Sequence, residues 1–302
     1  MRCRPTSAAH ASPNKQKRSD GLHVQARALV RLWVPRLEAA GVASPRLDAE
    51  LLVAHAAGID RDRLFLDDPA LTEPQHVAAQ ALLARRAETR APVAQLTGMR
   101  WFDGHPLHVS RDVLVPRPET EQLVERAAQL APQGAAVLDV GTGSGAIAIA
   151  LAARRPDLAL TASDVSAPAL AVAQANAAAL LSAPIAFQHA SLLGDWDGGV
   201  VVSNPPYVED AWRQDAAPEL DHEPDLALYA GVDGLDVIRP LVDACAARSG
   251  VRLVLLEHGH QQGAAIRALF RGVGFPDAVT EPDLAGYDRV TWARRAEVPG
   301  AR

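Results

Sequence analysis

Between residues 135 and 296 short apolar runs alternate with helical stretches, and this rhythm constrains the fold more than any other feature of the chain. Strands are expected over 136–140, 158–163, 185–188, 200–203 and 251–257. Helices are expected from Gly145 and over 167–179, 236–248 and 261–270. Two last runs, 277–280 and 289–293, read as strands that close the domain. Alternation of this kind builds a parallel sheet with right-handed crossovers and helices on both faces. An antiparallel strand is a common addition. The expected fold class is therefore α/β, a doubly wound, mostly parallel sheet. Ligands of such sheets bind outside the carboxyl ends of the strands.

Two loops at those ends carry unusual residues. Asp139-Val140-Gly141-Thr142-Gly143-Ser144-Gly145 follows the first strand of the domain and opens a helix. Glycines there let the backbone turn tightly and approach a ligand without side-chain obstruction. The second strand runs out towards Asp164, about twenty residues on, where an acid can accept both hydroxyls of a ribose. A dinucleotide site uses the spacing G-x-G-x-x-G, whose helix amino end holds a pyrophosphate. Here the spacing is G-x-G-x-G and no Walker lysine follows, which disfavours ATP. Loop, helix, strand and acid in this order point to an adenosine-bearing ligand.

The second loop is Ser203-Asn204-Pro205-Pro206-Tyr207, which ends the β-branched run Val200-Val201-Val202. Neither proline can donate to a sheet ladder, and each restricts the residue before it to extended conformations. The chain must leave the sheet here in one stiff shape, with Asn204 held at a strand's carboxyl end.

The rest of the chain is read as supporting structure. Residues 21–92 carry helical spacing: Leu29, Leu32, Trp33 and Leu37, then Leu47, Leu51, Leu52 and His55, then Val77, Leu82 and Leu83. Asp48 and Glu50 suit a helix amino end. This is expected to be a small helical bundle that recognises or positions a partner. Residues 93–116 form a hairpin bridge, with Asp103-Gly104 as the turn. Residues 117–296 form the chemistry-bearing domain, and 1–20 and 297–302 are tails. The basic, acid-free stretch 1–19 lacks the apolar core of a secretory signal and is read as dispensable. The formal net charge of −6 argues against a protein that coats nucleic acid, since that affinity comes from neutralising phosphates. The two cysteines, Cys3 and Cys245, supply no disulfide framework or metal cluster and fit a reducing cytosol. No apolar run reaches transmembrane length.

The glycine loop preceded by Asp139, with Asp164 and the Asn-Pro-Pro-Tyr turn, resembles class I amino methyltransferases. Further runs narrow the likeness: Val115-Pro116-Arg117-Pro118-Glu119-Thr120-Glu121, then Glu223-Pro224-Asp225-Leu226-Ala227-Leu228, Glu257-His258-Gly259 and Gly286-Tyr287-Asp288-Arg289-Val290. These are similar to the bacterial release factor glutamine methyltransferase family, and the likeness spans nearly the whole chain. It implies N5-methylation of the glutamine in the Gly-Gly-Gln loop of peptide-chain release factors, with S-adenosylmethionine as cofactor. It implies that Gly141, Thr142, Gly143, Ser144, Gly145 and Asp164 hold the cofactor, with Asn204 beside them. Asp139 would face the cofactor's ammonium end or orient the loop. Near the adenine, family members commonly carry an acid followed by an aromatic residue. This chain has Ser191 and Leu192 there, which can accept a hydrogen bond and cover a ring face.

By the same resemblance Asn204, Pro205, Pro206 and Tyr207 hold the substrate glutamine, with Asn204, Pro205 and Tyr207 catalytic. An amide nitrogen is a poor nucleophile because its lone pair is delocalised into the carbonyl. The Asn204 side-chain oxygen and the Pro205 carbonyl can each accept one N–H, which aims the lone pair and stabilises growing positive charge. Tyr207 can pack its ring on the amide plane. A monomer in the cytoplasm, without stable nucleic-acid binding and without a metal, is expected. The alternatives are a DNA or RNA amino methyltransferase acting on adenine N6 or guanine N2, and an inactive adaptor.

Overall fold

The computed structural model describes residues 24–296, so the expected tails lie outside the described residues. The described residues divide into two compact units, one up to Ala87 and the other from Glu88 on. In the first, β1 (Val24–Gln25) pairs antiparallel with β2 (Ala70–Leu71) beside α1 (Ala26–Ala39), α2 (Pro45–Ala57), α3 (Arg61–Leu66) and the start of α4 (Glu73–Thr89). The helical spacing locates the elements but not every buried face. Leu29, Trp33, Leu37, Leu52, Val53 and Leu83 are buried, whereas Leu32, Leu47 and Val77 are exposed. Asp48 lies in the first turn of α2 as expected, and it and Glu50 also carry ion pairs. Both are buried, Asp48 accepting from Arg86 Nε at 2.8 Å and Glu50 from Arg46 Nε at 2.9 Å. A buried carboxylate needs a cation and hydrogen bonds to offset its lost hydration.

The second unit opens with α5 (Val93–Thr97) and the hairpin of β3 (Met99–Phe102) and β4 (His105–His108). Asp103 and Gly104 both have positive φ, 48° and 77°, the conformation a two-residue hairpin turn requires. The hairpin packs with this unit: Phe102 and Leu107 join its main core, and Asn176 bonds both the N–H and the carbonyl of His108. Then follow α6 (Thr120–Leu130), β5 (Ala136–Val140), α7 (Ala146–Arg154), β6 (Ala159–Asp164), α8 (Ala167–Leu180), β7 (Ala186–His189) and β8 (Gly198–Ser203). A long connection of short 3-10 turns leads to α9 (Ile238–Ala247), β9 (Gly250–Glu257), α10 (Gly263–Gly272), β10 (Val279–Pro282) and β11 (Asp288–Arg294).

The strand order is β10-β11-β9-β8-β5-β6-β7. β9, β8, β5, β6 and β7 run parallel, and β11 is antiparallel to both its neighbours. Two apolar layers cover the sheet, one around Leu123, Ile149 and Val202 and the other around Val201, Leu241 and Phe270. The expected doubly wound α/β sheet is the observed one. The chain winds outward from β5 through β6 to β7, then returns to lay β8 on the other side of β5. That reversal leaves a crevice between β5 and β8, where such sheets bind ligands.

Candidate active site

Register places the two unusual loops together. Val140 of β5 is paired with Ser203 of β8, so Gly141 and Asn204 leave the sheet side by side. Ser203 Oγ donates to the Val140 carbonyl at 2.7 Å and pins the two strand ends. Above them lies a cavity of about 510 Å³.

Its floor is the glycine loop. Gly141, Thr142, Gly143 and Ser144 line the cavity. Gly141 and Gly143 have φ of 70° and 55°, and a Cβ on either would meet no protein atom within 4 Å. The backbone is thus bared towards the cavity. Gly145 does not line it. With φ of 84°, its missing Cβ lets α8 approach, since an added one would lie 3.3 Å from Ala173 and 3.1 Å from Ile149. Asp139 is fully buried beneath the loop, and its Oδ2 accepts from Thr142 Oγ1 at 2.7 Å and from the Ala148 N–H at 3.2 Å. Of the two roles open to it, the structure shows the loop-orienting one. Burial pushes its carboxyl up to about 7.

Asp164 lines the cavity from the end of β6. It accepts from the Gly143 N–H at 2.9 Å and the Ser166 N–H at 2.8 Å, so the acid and the glycine loop are tied directly. A carboxylate has about four lone-pair sites, which leaves capacity for ribose hydroxyls. Ser191 and Leu192 line the same wall, and the Ala190 N–H donates to the Asp164 carbonyl at 3.0 Å.

A further part of the lining comes from the run that leads into α6. Val113, Leu114, Pro116, Arg117 and Thr120 line the cavity. Glu223, from the connection after β8, holds this run in place by accepting from the Val115 N–H at 3.0 Å and Arg117 at 2.7 Å. Arg117 is therefore neutralised, and the other charged residues of the lining, Asp112, Asp164 and Asp236, are acids. The rest is largely apolar. An acid-biased cavity with an open glycine floor and an apolar wall fits a cationic adenosyl sulfonium, and it offers little to a pyrophosphate.

Asn204, Pro205 and Pro206 line the cavity next to this floor, and Tyr207 does not. Asn204 Nδ2 donates to Thr120 Oγ1 at 3.2 Å, which turns the side-chain oxygen the other way. The Tyr207 ring packs against the apolar layer under the sheet, and its hydroxyl donates to Glu257 Oε1 at 3.2 Å. A buried phenol needs such a partner. The ring is thus set against Glu257 and this apolar layer, outside the lining of the cavity. Burial and the neighbouring Glu257 charge both push the phenol's pKa above its usual range. Glu257 is fully buried, and burial raises its carboxyl to about 7. Thr120 and Glu257 were not singled out by the sequence. Their runs were visible, but contacts across 84 and 50 positions have no local pattern.

Among the described residues no helix is long and apolar enough to cross a membrane, and no cluster could hold a metal ion.

Comparison with known proteins adds to this geometry. The family described as PrmC N-terminal domain matches residues 28–98, and the methyltransferase small domain matches 119–223. The chain is 45% identical over 275 residues to the release factor glutamine methyltransferase of Cereibacter sphaeroides, covering 88% of this chain and 96% of that one. It is 41% identical over 278 residues to the protein of the same name from Deinococcus radiodurans, covering 90% and 99%. Among solved structures, the catalytic domain of hMettl16, crystallised with an RNA hairpin, superposes with a TM-score of 0.53. It is 14% identical and covers 76% of this chain and 82% of that one, a likeness of fold alone.

Proposed function

The chain belongs to the release factor glutamine methyltransferase family, and from that premise we propose that the crevice between β5 and β8 is where it methylates a release factor glutamine. The activity is protein-(glutamine-N5) methyl transfer from S-adenosylmethionine, and the substrate is the glutamine of the Gly-Gly-Gln loop. When bound, the sulfonium cofactor supplies an activated methyl group. The observation that carries the reading is the β5–β8 register, which sets the Asn204 turn beside the bared glycine floor.

In this reading Gly141, Thr142, Gly143 and Ser144 cradle the cofactor by their backbone, Asp164 accepts its ribose hydroxyls, and Ser191 and Leu192 border the adenine. Gly145 serves by bringing α8 close. Asn204, with Nδ2 held by Thr120, presents Oδ1 to one N–H of the substrate amide, and the Pro205 carbonyl takes the other. Two acceptors fixed in space orient the nitrogen lone pair and stabilise the positive charge that grows there. Pro205 and Pro206 contribute stiffness, because neither can rotate about φ. No strong base is required, since the cationic amide formed by transfer is itself acidic and loses its proton to water.

The helical region expected over residues 21–92 is assigned to recognition of the release factor. The enzyme acts as a cytoplasmic monomer on protein and holds no nucleic acid stably. Labelled methyl transfer to purified release factor, total RNA and DNA, followed by protease and nuclease digestion, tests this. Protease-sensitive label on the release factor alone is expected. Label that survives protease and is lost to nuclease would assign the site to a nucleic-acid base instead.

A further inference from the structure

Glu257 is an acid without a role in the mechanism above, in a place that is costly for an acid. It is the last residue of β9, and Leu256 is paired with Ser203, so Glu257 stands level with Asn204 on the neighbouring strand. It is fully buried, and Oε2 has no hydrogen-bond partner. A leucine there would avoid the desolvation that a buried carboxylate incurs. What the acid does make is a hydrogen bond to the Tyr207 hydroxyl, and the Thr120 hydroxyl lies close enough to lower its pKa. Thr120 in turn accepts from Asn204 Nδ2.

The loop that begins at Glu257 grips Tyr207 a second time. Gln262 Nε2 donates to the Tyr207 carbonyl at 3.0 Å, while Gln262 Oε1 accepts from the Gly259 N–H at 2.9 Å. Gly234 leaves room for this, since an added Cβ would lie 2.2 Å from the Tyr207 carbonyl oxygen and 2.4 Å from Gln262 Nε2. One short loop therefore fixes both the phenol and the backbone of the last residue in the turn.

We propose that Glu257 is a positioning residue for methyl transfer, which ties the far end of the 204–207 turn through Tyr207 and stands behind Thr120, the partner of its near end. It does not touch substrate or cofactor. This rests on the assignment of Asn204 and Pro205 as the amide grip. A grip that drifts loses alignment in the transition state before it loses ground-state binding, so the loss falls on kcat.

The test uses the full chain with a purified release factor. Glu257→Ala is expected to lower kcat by at least about tenfold, with KM for the release factor and cofactor Kd changed by no more than about threefold. Glu257→Gln keeps an oxygen for the Tyr207 hydroxyl and should recover most of that loss. Tyr207→Phe removes the link from its other end. It should lower kcat in the same direction, and the double variant with Glu257→Ala should be no worse than Glu257→Ala alone, the sign of one shared interaction. Should Glu257→Ala fail to fold, Tyr207→Phe and Glu257→Gln still decide. An unchanged kcat in Tyr207→Phe, an effect on KM alone, or additive losses in the double variant would overturn the proposal. Asn204→Ala is assayed in parallel. If it keeps normal turnover, the amide grip itself is wrong. If it is inactive while the Glu257 series is silent, only the positioning role fails.

Discussion

At the scale of single residues the site divides work between groups that look alike in the sequence. Asp139 and Asp164 both lie at the carboxyl ends of neighbouring strands, Asp139 one residue short of the last, yet one is sealed under the loop and the other faces the cavity. Asn204 and Tyr207 are three residues apart, yet one borders the cavity and the other is turned down towards Glu257. Substitution separates these roles. Asn204→Ala removes an acceptor that matters only as charge builds on the substrate nitrogen. Loss of turnover by at least about 100-fold is expected, with cofactor Kd within a few fold by titration calorimetry. Asp164→Ala removes the ribose acceptor and should raise cofactor Kd by at least about tenfold, while the urea midpoint moves little. An unaltered cofactor titration would remove Asp164 from the site.

At the scale of elements, the glycine loop shows how one motif serves two ends. Gly141 and Gly143 clear space for a ligand, whereas Gly145 clears space for a helix. Alanine at all three meets an unfavourable positive φ, costing on the order of 1 kcal/mol. The surroundings then decide what else is lost. Gly143→Ala puts a methyl group into the cavity and should weaken cofactor binding more than stability. Gly145→Ala pushes on Ala173 and Ile149 and should cost more stability, about 1–3 kcal/mol by overpacking. Urea unfolding and cofactor titration of the two variants check the order, and a reversed order would contradict the geometry. The elements themselves were legible because the central parallel strands read as short apolar runs, such as Val200-Val201-Val202, and their loops as glycine, proline and acid. β5 falls on the expected 136–140, and β9 begins within a residue of expectation. The 112–120 wall was less legible, since Pro-Arg-Pro-Glu-Thr-Glu reads locally as a helix start. What makes it part of the site is Glu223, more than a hundred positions away.

At the scale of the whole molecule, the sheet's carboxyl edge concentrates buried acids in a chain that is already net negative. Asp139 and Glu257 both have carboxyls pushed up to about 7 by burial. An acid whose folded pKa lies above its unfolded value binds more protons when folded. Its contribution is therefore intact below the unfolded value, 4.5 for Glu257, and is lost as pH rises to about 7. For Glu257 that interval corresponds to on the order of 3 kcal/mol, the net of burial and Glu119, which raise its pKa, and of Thr120, Tyr207 and Arg289, which lower it. Buried His258 has the opposite effect, since burial lowers its pKa and stability is gained as pH rises through its unfolded value. A bare pH profile would mix these, so the measurement is a difference. Glu257→Gln abolishes one titration and keeps the shape. Relative to wild type, the variant should gain stability between about pH 4.5 and pH 8, by up to about 3 kcal/mol in urea unfolding. A constant difference across that range would mean that Glu257 ionises in the folded protein as it does in the unfolded chain.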